Sequence, residues 1–292
     1  MLSIVVASGK GGTGKTTVAT SLALACAALP TWLVDCDVEA PNAHLIVRPQ
    51  LERRQEVGIL IPEVDHERCT GCGRCAQVCQ YHAVAVVGRR VLVFPQLCHG
   101  CGSCNYNCPE KAIRERLDIM GVLESGPTPS GVRFARGVMQ VGEAMASPII
   151  RQLKAWVRAE TGPSPHDQLL ILDAPPGVSC PVVETLRGAD FALLVTEPTP
   201  FGLHDLRLIN EVIRQLEMPA GVIINRDGIG NAQVEKFCEA AGLPILMRIP
   251  LERNIGQGLA SGLPLIDIRP EYRARFRELA DHIRSMVQGK PT

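Results

Sequence analysis

The sequence predicts an α/β protein, in which a doubly wound parallel sheet is interrupted by a smaller cysteine-rich domain. Two features of the 292 residues support this fold class. Apolar strand-like segments alternate with helix-like segments toward both ends of the chain, as they do in doubly wound sheets. Between them, eight of the twelve cysteines fall in two runs of the same spacing.

The strand-like and helix-like segments follow one another along the chain. We predict strands over residues 2–7, 32–35, 169–173, 191–195, 221–224 and 244–249, and helices over 18–28, 203–216, 231–241 and 271–287. Segment 169–173 consists of four apolar residues and Asp173, which is typical of a central parallel strand buried on both faces. Ligands of such sheets bind at the carboxyl ends of the strands.

The first strand leads into a glycine-rich loop. Residues 9–17 read GKGGTGKTT and fit the pattern G-x4-G-K-[ST], between a strand and a helix. Glycines let backbone N–H groups surround phosphates at a helix N-terminus. Lys15 is predicted to neutralise the β- and γ-phosphates, and the Thr16 hydroxyl to bind Mg²⁺. We therefore predict that ATP and Mg²⁺ bind here, with nucleotide contacts from Gly11, Gly12, Thr13, Gly14, Lys15, Thr16 and Thr17.

Both cysteine runs have the spacing C-x2-C-x2-C-x3-C, and Pro109 directly follows the second run. This is the spacing of bacterial two-cluster ferredoxins, in which the fourth cysteine of each run ligates the cluster of the other run. The sequence therefore predicts two [4Fe-4S] clusters with crossed ligation. One ligand set is Cys69, Cys72, Cys75 and Cys108, and the other is Cys98, Cys101, Cys104 and Cys79.

Two other uses of clustered cysteines fit less well. Zinc sites also contain C-x2-C pairs, but they usually join two pairs across a longer spacer. Disulfide frameworks need an oxidising compartment, and the chain starts with a strand-like segment rather than a basic, cleavable leader. The spacing leaves open whether the clusters transfer electrons, are delivered to other proteins or are structural.

The charge balance bears on partners and location. Lys+Arg and Asp+Glu both number 30, so no excess of one sign attracts nucleic acid or an anionic membrane. Aromatic residues make up only 4%, which also disfavours single-strand nucleic-acid binding by stacking. No apolar run has the length needed to span a bilayer. We predict a soluble cytoplasmic protein without nucleic-acid partners or stable membrane insertion.

Several further segments carry a family resemblance. Lys10 occupies the second position of the glycine-rich loop, and residues 35–42 (DCDVEAPN) and 173–177 (DAPPG) follow in the order of a switch I and a Walker B with switch II. Together with 196–205 (TEPTPFGLHD), they resemble the MinD/ParA/Mrp superfamily of P-loop ATPases with a deviant Walker A motif. The resemblance covers nearly the whole chain. The nitrogenase iron protein is related to the same superfamily.

The cysteine runs lie between switch I and Walker B, so the ferredoxin-like segment is an insertion rather than an extension. We predict a discontinuous P-loop ATPase domain formed by residues 1–56 and 116–292. The inserted bacterial-type ferredoxin domain is predicted over residues 57–115.

The resemblance implies three catalytic residues. Lys10 is expected to reach across a nucleotide-dependent homodimer to the nucleotide of the partner protomer. Lys15 is the phosphate cation of the loop. Asp37, in switch I, is expected to orient the attacking water.

The resemblance also implies roles around the metal ion and the base. Asp35 is expected beside the water shell of Mg²⁺, and Asp173 is expected to hold a Mg²⁺-bound water. The Gly177 amide is expected to sense the γ-phosphate. Asn225 resembles the residue that hydrogen-bonds adenine, and Pro250 occupies the other position beside the base.

These features predict an ATPase that couples a nucleotide-driven dimer switch to electron transfer through the two clusters, with an unidentified redox protein or iron-sulfur acceptor as partner. The first alternative is an iron-sulfur scaffold or carrier ATPase of the Mrp type. The second is a MinD/ParA-like positioning ATPase, although the balanced charge provides no basic DNA-binding surface. Cys180 lies at the offset from Asp173 where the nitrogenase iron protein has a cluster ligand, but packing or thiol reactivity is favoured because no second such cysteine is evident.

Overall fold

The structure is a computed structural model that describes residues 1–161 and 168–289. The chain forms two compact units. The large unit comprises Met1–Arg54, Leu123–Val138 and Ile150–Thr292, and the small unit comprises Gln55–Val122 and Met139–Ile149. All of segment 57–115, the predicted insert, belongs to the small unit.

The strands are numbered in chain order. They are β1 Leu2–Ala7, β2 Thr31–Asp35, β3 Arg53–Val64, β4 Val84–Val87, β5 Arg90–Val93, β6 Ile113–Pro127, β7 Arg133–Met139, β8 Leu169–Asp173, β9 Phe191–Thr196, β10 Ala220–Asp227 and β11 Ile245–Pro250. The helices are α1 Lys15–Ala25, α2 Ala43–Val47, α3 Arg74–Gln77, α4 Ser103–Tyr106, α5 Ser147–Thr161, α6 Cys180–Leu186, α7 Pro200–Gln215, α8 Gln233–Ala241, α9 Arg253–Ala260, α10 Leu265–Ile268 and α11 Glu271–Gln288. A short 3₁₀ helix covers Pro95–Leu97.

Nine of the described strands form one sheet, in the order β11-β10-β9-β1-β8-β2-β7-β6-β3. β1 pairs in parallel with β8 and β9, and β2 pairs in parallel with β8 and β7. Every residue of β1, β2, β8 and β9 is buried, as expected for strands covered on both faces. The predicted doubly wound α/β fold is confirmed. The neighbouring strands β2 and β8 end at the same level of the sheet, where the register places Asp35 opposite Asp173.

The C-terminal helix α11 is amphipathic and packs against α1 in the core of the large unit. Tyr272, Phe276, Leu279 and Ile283 are all buried. Each such side chain contributes about 1.5–3 kcal/mol when it is removed from water. Among the described helices, none has the length and apolar character needed to span a membrane.

Two helices begin earlier than the sequence pattern indicates. α1 starts at Lys15, directly after the glycine-rich loop, because the loop turns straight into the first helical turn. α7 starts at Pro200, where proline is well tolerated in the first turn, and the Thr199 hydroxyl accepts a hydrogen bond from the Gly202 N–H at 3.0 Å.

The small unit, taken by itself, contains two matching halves. β4 and β5 form an antiparallel pair, and the short helices α3 and α4 each follow a glycine in a left-handed conformation. These glycines are Gly73, with φ 80°, and Gly102, with φ 70°. The repeat that is visible in the cysteine spacing is therefore also a repeat of the backbone.

Candidate functional site

A cavity of about 440 Å³ lies in the large unit where the glycine-rich loop leaves β1. Of the predicted site residues, Gly11, Gly12, Gly14, Lys15, Thr16, Thr17, Asp37, Asn225 and Pro250 line it. The other predicted nucleotide-site residues, Lys10, Thr13, Asp35, Asp173 and Gly177, are not among its lining residues. The segments predicted to bind a nucleotide thus meet at one cavity.

Gly14 shows why the loop needs a glycine at the start of α1. Its φ is 96°, in the left-handed region, and a Cβ at this position would overlap the Asn225 side-chain nitrogen. Asn225 Nδ2 donates a hydrogen bond of 2.7 Å to the Thr13 carbonyl oxygen. Asn225 therefore anchors the loop in addition to lining the cavity, a contact that the sequence did not indicate.

Lys15 places its ammonium group in a buried and acidic environment. The residue is only 8% exposed, and burial lowers its pKa, while Asp173, Asp37 and Asp35 act in the opposite direction. A buried lysine beside carboxylates and at the edge of an open cavity suits an anion that brings its own divalent cation.

Asp173 is fully buried at the end of β8. Its Oδ2 accepts a hydrogen bond of 2.6 Å from the Thr16 hydroxyl, whereas its Oδ1 has no hydrogen-bond partner among the described residues. Burial and the neighbouring Asp35 raise the pKa of Asp173 to about 8. A buried carboxylate oxygen without a donor, beside a threonine hydroxyl, fits a hard cation or a water bound to one.

Asp35 organises the segment that follows β2. Its carboxylate accepts backbone hydrogen bonds from Asp37 at 3.1 Å, from Asn42 at 2.9 Å and from Ala43 at 3.0 Å. Burial raises the pKa of Asp35 to about 6, although these hydrogen bonds act in the opposite direction. Asp35 thereby fixes the loop that presents Asp37 and Asn42 to the cavity.

Gly177 and Lys10 lie outside the cavity lining. The Gly177 N–H donates a hydrogen bond of 3.1 Å to the Ser8 carbonyl oxygen, and the residue has φ 96°. The Lys10 ammonium lies 3.7 Å from Glu197 Oε2 and 6.0 Å from the centre of the Phe201 ring. Both groups are therefore engaged by other contacts.

The apolar wall beside Pro250 was not found from the sequence. Leu251, which directly follows β11, and Ile255 and Leu259 of α9 line the cavity on this side. Their apolar side chains are of the kind that packs against a planar ring. The signal was weak because α9 carries only two such residues among polar and glycine positions.

Two further cavities lie within the small unit, and each is lined by four cysteines. One contains Cys69, Cys72, Cys75 and Cys108. The other contains Cys79, Cys98, Cys101 and Cys104. In both cavities, three cysteines come from one run and the fourth comes from the other run, which is the crossed combination that the spacing predicts.

The two cysteine cavities have matching backbone surroundings. The Ala83 N–H donates to Cys79 Sγ at 3.3 Å, and the Ala112 N–H donates to Cys108 Sγ at the same distance. Gly100 N–H donates to Cys98 Sγ at 3.4 Å. Amide groups aimed at sulfur stabilise a thiolate that binds iron.

All twelve cysteines are free of disulfide bonds. Within residues 1–161 and 168–289, no three His, Cys, Asp or Glu side chains converge on the position of a single metal ion. Cubane ligation has a different geometry, since the four thiolates bind four separate irons around a volume. The donor chemistry of the two cavities fits that arrangement.

Comparison with protein families matches residues 4–265 to the CobQ/CobB/MinD/ParA nucleotide binding domain. The chain belongs to this family. This member of the CobQ/CobB/MinD/ParA family is an ATPase.

Three relatives illustrate the range of similarity. An uncharacterised protein of Methanocaldococcus jannaschii is 31% identical over 236 residues, which cover 80% of this chain and 83% of that protein. An iron-sulfur cluster carrier protein of Aquifex aeolicus is 24% identical over 306 residues, covering 98% of this chain and 68% of the carrier. The solved cell division ATPase MinD of Pyrococcus furiosus has a TM-score of 0.57 at 19% identity, with 98% and 99% of the two chains covered. That likeness shows the shared fold.

Proposed function

We propose that this ATPase couples ATP-driven closure of a homodimer to electron transfer through two [4Fe-4S] clusters held by its small unit. One observation carries the proposal. The crossed cysteine sets line two separate cavities in a chain that also has a nucleotide cavity. The inserted ferredoxin domain, over residues 57–115, is part of this proposal.

The nucleotide would bind with its phosphates at the glycine-rich loop and its base against the wall formed by Pro250 and α9. Lys15 neutralises the β- and γ-phosphates. Thr16 and Asp173 would hold Mg²⁺ and one of its waters, since their hydroxyl and orphaned carboxylate oxygen fit a hard cation. Bound Mg²⁺ supplies further charge neutralisation at the phosphates. The side-chain amide oxygen of Asn225 is available to accept a hydrogen bond from adenine, because its Nδ2 donates to Thr13.

Hydrolysis requires a positioned water. Asp37 lines the cavity near Lys15 and is held there by the turn around Asp35. We assign to Asp37 the role of orienting the attacking water toward the γ-phosphate. Lys10 would stabilise charge on the nucleotide of the partner protomer, which agrees with its position outside the lining of its own cavity.

Gly177 provides a way to report the γ-phosphate. In the structure, its N–H donates a hydrogen bond to the Ser8 carbonyl oxygen. We infer that ATP exchanges this hydrogen bond for one to the γ-phosphate and thereby moves the segment after β8. A nucleotide can shift an equilibrium only through such a difference in contacts between two states.

In the small unit, the two cysteine sets would hold the clusters as thiolates. The clusters supply one-electron chemistry when bound. Four thiolates per cluster within one chain favour retained clusters over labile ones, which supports electron transfer. A redox protein or an iron-sulfur acceptor is the expected partner.

Cluster delivery is the second candidate function, favoured by the similarity to the Aquifex aeolicus iron-sulfur cluster carrier protein. The two functions differ in one measurable property. A carrier loses iron to an apo-acceptor when ATP is added, whereas an electron-transfer protein keeps its iron and reduces its partner. Incubation of anaerobically prepared protein with an apo-ferredoxin, followed by iron analysis of both proteins, separates the two.

The proposed function is tested by redox titration of anaerobically prepared protein without nucleotide, with ADP and with a non-hydrolysable ATP analogue. The same samples are sized by analytical ultracentrifugation. We expect the ATP analogue with Mg²⁺ to promote dimerisation and to shift the cluster potential. Identical potentials and identical assembly states in all three conditions would contradict the coupling.

A further inference from the structure

Glu197 contacts two cationic side chains and has no role in the proposed hydrolysis. It directly follows β9, in the TEPTP segment, and is only 6% exposed. Its Oε1 accepts a hydrogen bond of 2.6 Å from the Arg226 guanidinium, and its Oε2 lies 3.7 Å from the Lys10 ammonium. One buried carboxylate therefore joins a cation of the glycine-rich loop to a cation that lines the nucleotide cavity.

The Glu197 backbone is fixed by close packing. A Cβ at Gly202 would overlap the Glu197 carbonyl oxygen, and this oxygen also accepts a hydrogen bond of 2.8 Å from the Thr199 N–H. The Lys10 side chain, in contrast, is 34% exposed and has a long flexible stem. Lys10 is thus the partner that is free to move.

We propose that Glu197 is a positioning residue that holds Lys10 in the open protomer and releases it when the dimer closes. This inference rests on the proposed role of Lys10 at the nucleotide of the partner. Closure then exchanges the Glu197 contact of Lys10 for a phosphate contact, so Glu197 sets the nucleotide concentration at which the dimer forms.

Arg226 makes this release feasible. A buried carboxylate that loses its last cation is strongly unfavourable. Because Arg226 stays on Oε1, Glu197 remains paired after Lys10 has left. Arg226 and Lys10 compete for the same charge, so removal of Arg226 should strengthen the hold of Glu197 on Lys10.

Two substitutions should therefore act in opposite directions. Glu197→Gln keeps an oxygen acceptor for Arg226 but removes the charge that holds Lys10, and should favour the dimer. Arg226→Gln should disfavour the dimer. Because the ion pair between Lys10 and Glu197 is partly exposed, we expect each substitution to change the dimer dissociation constant by about twofold to fivefold. A purely structural role of Glu197 would make both variants worse.

The experiment measures the dimer dissociation constant by analytical ultracentrifugation, with Mg²⁺ and a non-hydrolysable ATP analogue. The proteins are wild type, Glu197→Gln, Arg226→Gln, Lys10→Ala and the double variant Lys10→Ala with Glu197→Gln. Glu211→Gln, an exposed glutamate on α7, is the matched control for the loss of one carboxylate. Thermal unfolding of each variant reports whether it folds, and Glu197→Asp, which keeps the charge, should move the constant back toward wild type.

We expect Glu197→Gln to tighten the dimer in the wild-type background and to have no effect when Lys10 is already alanine. If wild type dimerises and Lys10→Ala weakens the dimer, but Glu197→Gln does not tighten it, the positioning role of Glu197 is wrong and the dimer switch stands. If the ATP analogue does not dimerise wild type, or Lys10→Ala behaves as wild type, the dimer switch itself is wrong and the role of Glu197 falls with it.

Discussion

Two carboxylates at the ends of neighbouring strands illustrate how burial creates function at the scale of single residues. Asp35 and Asp173 lie opposite each other, and burial raises both pKa values. Asp35 is satisfied by backbone N–H groups and shapes a loop, whereas Asp173 keeps one oxygen without a hydrogen-bond partner in the described residues. The aspartate at the end of β2 therefore fixes a loop, whereas the aspartate at the end of β8 has an oxygen that a ligand could bind.

Lys15 and Asp37 should separate binding from turnover. Lys15→Ala is expected to weaken ATP binding by at least about tenfold, because hydrogen bonds to charged groups contribute roughly 1.5–3 kcal/mol. Asp37→Ala is expected to leave ATP affinity near wild type and to slow phosphate release. Calorimetric titration and a phosphate-release assay measure the two effects. Wild-type turnover in Asp37→Ala would remove Asp37 from the mechanism.

Asn225 should affect both the loop and the base. Asn225→Ala removes the hydrogen bond to the Thr13 carbonyl oxygen, so both ATP and GTP should bind more weakly. If its oxygen also accepts from adenine, the loss should be larger for ATP than for GTP. Titration of both nucleotides into wild type and variant gives the ratio. Equal losses would leave Asn225 as a loop anchor and exclude the base contact.

At the scale of elements, helix α6 depends on a buried cation from another helix. Lys154, on α5, donates to the carbonyl oxygens of Glu184 at 2.6 Å, Thr185 at 2.7 Å and Arg187 at 2.7 Å. These carbonyls lie at the C-terminal end of α6, where no helical N–H is available for them. The ammonium group satisfies them and interacts favourably with the helix dipole.

Lys154→Met should therefore destabilise the large unit. The stem would still pack, but the carbonyls would lose their donor, at a cost of about 1–3 kcal/mol in the free energy of unfolding. Lys236→Met, at an exposed position of α8, is the matched control and should change stability little. Denaturant unfolding of both variants makes the comparison. Equal stability of the two would show that water replaces the ammonium group.

The crossed cluster ligation that the cysteine spacing predicts can be tested with pairs of substitutions. If Cys108 belongs with Cys69, then Cys69→Ser with Cys108→Ser should lose one cluster and keep about four irons. Cys98→Ser with Cys108→Ser should lose both clusters. Uncrossed ligation would give the reverse result. Iron and sulfide analysis after anaerobic purification decides between the two, with wild type expected to hold about eight of each. Stoichiometric zinc without sulfide in wild type would contradict the cluster assignment altogether.

The sequence predicted some elements better than others for physical reasons. β1, β8 and β9 were found because strands buried on both faces are continuous apolar runs. β3 and β6 were not predicted, because their exposed positions carry charged residues and no regular alternation remains. The loop cation Lys15 and the strand-end acids have fixed spacing, whereas the contacts of Glu197 and Asn225 join distant segments and leave no local pattern.

At the scale of the whole molecule, the nucleotide cavity and the two cysteine cavities belong to different units. Every residue that lines the nucleotide cavity belongs to the large unit, and every cysteine of the two runs belongs to the small unit. Each unit therefore contains all the residues that line its own cavities.

Loss of the clusters should consequently spare nucleotide binding. We expect protein whose clusters have been destroyed by air oxidation and chelation to bind ATP with an affinity within about twofold of the loaded protein, because no lining residue is lost. The thermal unfolding profile should change, since metal binding contributes to the folding of the unit that holds it. Calorimetric titration and scanning calorimetry test the two statements. A collapse of ATP affinity would show that the clusters are needed for the fold of the nucleotide site.

The strands that lead into and out of the small unit are tied together within the large unit. The Glu52 N–H donates to the Ser125 carbonyl oxygen, and the Gln50 N–H donates to that of Pro127, both at 2.9 Å. The ends of the intervening segment are therefore already close, and loop-closure entropy rises only slowly with loop length. Such a junction tolerates replacement of the segment between its two ends. Segments of very different length and chemistry could be exchanged there at little cost to the ATPase, which makes this junction a suitable place to graft other small domains.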